Sequence, residues 1–373
     1  MKRLLLVGGG HSHVEVLRRF ARARVEADVR LVTPSPLATY SGMLPGVVAG
    51  HYPPAAARID LTHLTRNAGA ALLPGRVVAL DAAGRCATLD DGATLEFDVV
   101  SLDVGSAPLV AGVVGVDQHA LSVRPVDRFL DRWEALRAAA CRRGGARLAV
   151  VGSGPAGVEL ACAMQHRMLR ELADPSRVAV ALVGDARGLL PQLAARAGRL
   201  AERRLRARGV ALHLGQRVIR CDAGGLELAD GRRVEADAVV WATGSAAPRW
   251  LAATGLACDA DGYVAVDDTL RSLSHPAIFA AGDCASMVAH PRPRSGVIAV
   301  RQGPPLARNL AAVLAGGKPT PFVPQRQALA ILATGGRRAI ATRGGWAIEG
   351  GWVWRWKDHL DRAFMARYRL TDA

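Results

Sequence analysis

The 373-residue sequence is poor in lysine, in aromatics, in paired cysteines and in long apolar runs, and each shortage excludes something. With no stretch of about 18 consecutive apolar residues, no segment reads as a membrane-spanning helix. Lysine occurs only at Lys2, Lys318 and Lys357, so nearly all of the 48 basic residues are arginine and the net charge is +15. That charge suits nucleotides, anionic lipid or nucleic acid, and equally suits arginine-rich solvated faces. No block of five or six basic residues and no nucleic-acid module occurs, so nucleic acid is not an expected partner. The six cysteines (Cys86, Cys141, Cys162, Cys221, Cys258, Cys284) never come closer than 21 residues. This excludes a C-x-x-C dithiol and zinc-type spacing, gives no reason to expect a metal, and fits a reducing cytoplasm. Aromatics make up 5%, yet Trp346, Trp352, Trp354 and Trp356 crowd into one short stretch.

What is present is globular and repetitive. Half the residues are hydrophobic and 22% charged, enough for the cores of two or three domains. Arg3–Val7 reads as an apolar strand rather than a signal peptide, because Gly8-Gly9-Gly10 cuts it short. It leads through Gly8-Gly9-Gly10-His11-Ser12-His13 into a helical stretch and a second strand, Val29–Val32. The pattern recurs at Leu148–Val151, Gly152-Ser153-Gly154-Pro155-Ala156-Gly157, a helix and Val178–Val183. Each copy also ends alike: residues 97–106 match residues 236–245, both buried strands closing in a Gly-Ser turn. Strand, glycine turn, helix, strand is the βαβ unit of dinucleotide binding.

The chemistry requires those glycines. A pyrophosphate sits where a helix begins, because unpaired N–H groups and the helix dipole point there. The first glycine makes the turn, the second admits the phosphates and the third lets helix and strand pack closely. Gly152, Gly154 and Gly157 supply all three. The first copy has Gly8 and Gly10, but His13 in third place, which implies a wider strand–helix gap or a ring turned outward. At the ribose position the first copy offers Thr33. The second offers Gly184 followed by Asp185, which suits NADH, while nearby Arg187 would accept the phosphate of NADPH.

A further apolar strand ends in Gly-Asp (Ile278–Asp283), followed by the helical Leu306–Leu314. With these elements the chain resembles the two-dinucleotide-binding flavoprotein superfamily, the pyridine nucleotide-disulfide oxidoreductases. The resemblance implies an α/β fold: tandem Rossmann-like domains, the second inserted in the first, plus a short C-terminal α+β region. It places an FAD domain at 1–112 and 246–320, an NAD(P)H domain at 113–245 and a terminal region at 321–373. It implies FAD and NAD(P)H as cofactors, with contacts at Gly8, Gly10, His11, Ser12, Thr33, Val77, Gly105, Gly152, Gly154, Gly157, Asp185, Gly244, Asp283 and Gln302. His11 reads either as a contact to FAD phosphate or ribose, or as a solvent-facing histidine. Neither cysteine pair of the disulfide reductases occurs. Cys162 reads as core, and Cys284 lies beside the expected flavin.

Within the superfamily, Tyr40–Pro45, the Gly-Val-Glu ending in Glu159, Ala299–Gly303 with Gln302, and Gly317–Phe322 resemble type II NADH:quinone oxidoreductases. This implies roles at the reacting centre for Glu159, beside the nicotinamide, and for Gln302. The last long helix, starting near Gln302-Gly303, would aim its dipole at the flavin ring. Val7–Val14, Tyr40–Gly46, Leu102–Ser106 and the tryptophan-rich end are most similar to a bacterial flavoprotein group found alone or fused to selenide, water dikinase. The expected activity is transfer of electrons from NAD(P)H to a small acceptor, quinone-like or other; the alternative is an accessory flavoprotein of selenium metabolism. At the C-terminus, Trp352–Trp356 alternates like a strand edge, and Trp356, Leu360, Ala363 and Phe364 recur at helical spacing. That segment suits a membrane interface, packing on the flavin domain, or a homodimer contact. The expected location is the cytoplasm, at the inner face of the plasma membrane if the interface reading holds.

Overall fold

The computed structural model describes residues 1–110 and 112–369. Two five-stranded parallel sheets organise it. The first runs, in spatial order, Ile278–Ala280, Val99–Leu102, Lys2–Val7, Ala27–Thr33 and Ala71–Pro74. Lys2–Val7 is central because its apolar half, Leu4–Val7, can be covered on both faces; none of these four is more than 2% exposed. The crossover to Ala27–Thr33 passes through α1 (His11–Arg22), which turns Val14, Val16, Leu17 and Phe20 inward. The second sheet runs Ala120–Ser122, Ala238–Trp241, Ala146–Val151, Val178–Gly184 and Ala211–Leu214. The crossover from Ala146–Val151 to Val178–Gly184 passes through α2 (Pro155–Glu171).

The repeat holds at the level of single hydrogen bonds. The Gly8 amide donates to Val32 O and the Gly152 amide to Val183 O, both at 2.8 Å. Asp103 N donates to Val7 O at 2.9 Å, as Ala242 N does to Val151 O at 2.8 Å. At the far end of the strands Arg3 grips Asp98, and Arg147 grips Asp237 in the same way. Both first glycines adopt positive φ (+94° and +132°), where an L side chain would be strained. The two Gly-Ser turns then meet: Ala107–Pro108 pairs antiparallel with Ser245–Ala246, tying the exits of the two sheets together.

The helix expected to start near Gln302-Gly303 is α3 (Gly296–Leu314), which packs on α1. It begins six residues before Gln302, so Gln302 lies in its second turn and not at its start. Beyond it stands an antiparallel sheet of Ala330–Ala333, Ala339–Arg343 and Trp346–Gly350, then α4 (Gly351–Ala366). The strand edge expected at Trp352–Trp356 is therefore the first turn and a half of α4. Trp352 and Trp356, one helical turn apart, stack with centroids 6.5 Å apart, and Asp358–Arg362 and Lys357–Asp361 add i,i+4 pairs. The inward face also differs from the expected stripe. It is Val353, Asp361, Phe364 and Met365, while Leu360 and Ala363 lie outside with Trp352. Among the described residues no helix is long and apolar enough to cross a membrane.

Candidate functional site

The two glycine turns build two cradles of unequal content. In the second, Gly154 precedes α2 in extended conformation, no side chain caps the helix, and a Cβ there would meet nothing within 4 Å. Free amides facing open space are what a diphosphate needs, so this cradle fits a dinucleotide. Gly157 has no such freedom: a Cβ would collide with the Gly152 carbonyl, which holds α2 tight to its strand. Asp185, exposed at the end of Val178–Gly184, and exposed Arg187 stand beside the place a ribose would take. Gly184 faces Ser153 closely, and Thr33, in the first unit, faces Gly9 in the same relation.

In the first cradle Gly10 precedes α1, and Gly8 presses on the Asp103 backbone. The turn at Gly105 is open, with nothing within 4 Å of a Cβ. A strand end, a glycine turn and a helix start again fit a dinucleotide. His13, expected either to widen the strand–helix gap or to turn its ring outward, does not turn outward. Its ring is fully buried between helix and sheet, bonded to Gly8 O at 2.7 Å and Ser101 Oγ at 2.8 Å. Ser12 is equally buried, its hydroxyl donating to Ala299 O on α3. Val77 begins a strand, Val77–Asp81, and is 3% exposed.

The Gly282-Asp283 turn lies against this cradle. The Gly282 amide donates to Gln302 Oε1 at 2.7 Å, so buried Gln302 fixes the turn from α3. Asp283 pairs with Arg124 at 3.2 Å, and Arg124 also bonds Ser106 beside the Gly105 turn. A shallow pocket lined by Gly282, Asp283, Arg292, Arg294 and Gln302 opens here. Gly244, the counterpart of Gly105, has only Leu109 near it.

Where the two units and the terminal helix meet, polar groups converge. Glu159, half-buried on α2, accepts from the Ala333 amide at 2.7 Å, and burial pushes its carboxyl up to about 7 despite the nearby Lys357 ammonium. Lys357 bridges Gly42 O and Asp361 Oδ2, both at 2.7 Å. Tyr40 donates to Asp361 at 3.3 Å and stacks on Phe364 at 4.3 Å. His11 sits edge-on to Tyr40, 5.6 Å between centroids, with Nε2 buried and unpartnered. It packs against this cluster, partly exposed, and burial lowers it to about 4. Cys284 is wholly buried, its thiol pushed up to about 12 by burial, and all six cysteines are free. Such a thiol does not ionise readily enough to relay electrons as thiolate. The sequence reading missed Lys357 and Asp361, which carry no motif, and missed Asp103, which the alignment of Asp103 with Ala242 already exposed.

Two dinucleotide cradles on tandem parallel sheets, with no thiol pair between them, define an FAD- and NAD(P)H-dependent oxidoreductase. The model for the pyridine nucleotide-disulphide oxidoreductases matches residues 2–303, and the chain belongs to that family. It is 29% identical over 293 residues to an NADH dehydrogenase-like protein of Mycobacterium tuberculosis, covering 77% of this chain and 73% of that one. It is 26% identical over 351 residues to the type II NADH:quinone oxidoreductase Ndh of the same species, covering 85% and 74%. The NDH2 structure from Plasmodium falciparum in complex with NADH superposes with a TM-score of 0.81 at 13% identity, covering 98% of both chains. The chain is thus an NADH dehydrogenase-like flavoprotein oxidoreductase.

Proposed function

We propose that this protein passes electrons from NAD(P)H through FAD to a quinone-like acceptor, without a redox-active disulfide. Bound FAD supplies the electron-transfer chemistry, and the chain supplies position and protons. We assign FAD to residues 1–112 and 246–320, NAD(P)H to the inserted 113–245, and the acceptor side to the junction with 321–373. The amides at Gly152–Gly157 would hold one diphosphate and those at Gly8–Ser12 the other. Asp283, aimed by Arg124 and by Gln302 through Gly282, would meet the ribityl chain.

The observation that carries the acceptor reading is the cluster of Glu159, Lys357, Asp361 and Tyr40. Reducing a quinone consumes protons as well as electrons. A carboxyl near pH 7 is poised to give and retake one, because both its forms are populated there. Lys357 stabilises negative charge beside it. The relative named as a type II NADH:quinone oxidoreductase supports the same acceptor class.

We also assign peripheral membrane contact to the outer face of α4. Trp352 is 51% and Leu360 43% exposed, and Arg355, Arg362 and Arg367 flank them. The test is anaerobic: the yellow protein is bleached with NADH or NADPH, then mixed with a soluble quinone, with a selenium oxyanion or with oxygen. Rapid return of colour with quinone supports the proposal. Bleaching that only a selenium oxyanion reverses would move the acceptor assignment, and no bleaching by either nucleotide would refute the oxidoreductase reading of this site.

A further inference from the structure

The two cradles of this chain serve as controls for one another. Where the second has Gly157, Val240 and Ala242, the first has His13, Ser101 and Asp103, by the register of both sheets. These three replacements are coupled and buried, none more than 3% exposed. Asp103 Oδ2 accepts from the Ser12 amide at 2.8 Å and the His13 amide at 3.1 Å, the amides of the second and third residues of α1. A Cβ on either Gly10 or Gly282 would collide with the same carboxylate, so it lies between the glycine turn and the Gly-Asp turn. The anion-binding amides of the first cradle therefore already carry a carboxylate, whereas those of the second face open space.

Among the described residues no cation pairs with that carboxylate. The carbonyl of Gly8 can only accept, so His13 Nδ1 bears the hydrogen and Nε2 accepts from Ser101. Burial lowers this histidine to about 4, which leaves it neutral. From the turn after Ile278–Ala280, Asp283 adds a second negative charge and Cys284 a thiol held neutral by burial. Arg124 pairs with Asp283 and not with Asp103 among the described residues.

We propose that Asp103 couples FAD loading to uptake of a proton: the first cradle admits the diphosphate when this carboxyl is protonated and resists it when ionised. A diphosphate and a carboxylate on the same few amides repel in a poorly solvated space, and a proton from solvent onto the carboxyl removes the charge. Desolvation holds the group up to about 7, which puts the switch in the neutral range. The second cradle, with Ala242 in place of the carboxyl, lacks it. The inference rests on FAD occupying the first cradle.

The test is FAD binding to the apoprotein, followed by quenching of flavin fluorescence across about pH 6 to 9. On the alkaline side the dissociation constant of the wild type should rise about tenfold per pH unit, with about one proton taken up per FAD by calorimetry in buffers of different ionisation enthalpy. Asp103→Asn keeps an acceptor oxygen for the Ser12 amide and removes the charge; its affinity should stay tight and level with pH. Asp103→Ala should be level as well. A flat wild-type profile, or a slope that survives in Asp103→Asn, overturns the inference. Failure of the wild type to take up FAD at any pH overturns the cofactor assignment instead, and the inference falls with it.

Discussion

Gly154→Val separates nucleotide binding from folding with unusual cleanness. Gly154 has φ −77° and ψ −177°, a conformation valine adopts readily, and its Cβ direction is empty to 4 Å. The cost to the fold is the poorer helix start, about 1 kcal/mol or less. The new methyl groups fill the space in front of the first amides of α2. A diphosphate would lose about two charge-assisted hydrogen bonds, each worth roughly 1.5–3 kcal/mol. The sum, about 3–6 kcal/mol, corresponds to NAD(P)H binding weaker by about 10² to 10⁴-fold. The assay is stopped-flow bleaching of the bound flavin at nucleotide concentrations below saturation. The variant should purify yellow, melt close to wild type and bleach slowly, with dithionite still reducing it fully. Wild-type bleaching rates would refute the placement of NAD(P)H on Gly152–Gly157. Gly157→Val is the contrast: its Cβ strikes the Gly152 carbonyl, and the expected result is loss of the folded protein.

The remaining predictions concern protons, the buried histidines, the terminal helix and the thiols. If Glu159 delivers protons, quinone reduction should show a step near pH 7 that Glu159→Gln abolishes, and a step that persists in the variant would assign it elsewhere. His11, His13 and His166 are each lowered to about 4 by burial, against about 6.5 unfolded. The unfolded chain then binds more protons between those values, so stability present above pH 6.5 should drain away as pH falls towards 4. Urea midpoints measure this, and His13→Asn should flatten the slope while lowering stability overall by about 2–4 kcal/mol through lost hydrogen bonds and packing. Replacing Trp352 and Trp356 together by serine should abolish flotation with anionic liposomes; a wild type that does not float at low salt would dismiss the membrane contact. Cys284→Ala should retain turnover, since its thiol is buried and protonated, and loss of turnover without loss of FAD would reinstate it.

Much of the architecture is legible because the βαβ unit writes itself in local terms. Apolar runs of four to six residues, a glycine turn and an amphipathic helix occur in order, and the four strands of the two βαβ units lie within two residues of their expected bounds. The Gly-Asp turn and Glu159 were legible as motifs. The errors share a cause, which is that side-chain direction depends on what packs opposite. Trp352–Trp356 alternates as a strand would, but a helix brings Trp352 over Trp356 and turns Val353 onto the terminal sheet. Leu360 and Ala363 have helical spacing but lie outside, because Asp361 is drawn inward by Lys357 and Tyr40. His13 looked like a flaw in a glycine motif until Ser101, 88 residues away, proved to be its partner.

By itself the sequence determined two nucleotide cradles, their order along the chain and the lack of closely spaced cysteines, since glycine spacing, strand apolarity and cysteine separation act over a few neighbouring residues. Only the tertiary structure decided what fills each cradle and what meets at the junction. Asp103 reaches the amides of α1 across two adjacent strands, and Lys357 joins Gly42 and Asp361 near a glutamate almost two hundred residues earlier in the chain. Burial then raises the carboxyls of Asp103 and Glu159, and burial is a property of the whole fold that no short stretch of chain encodes.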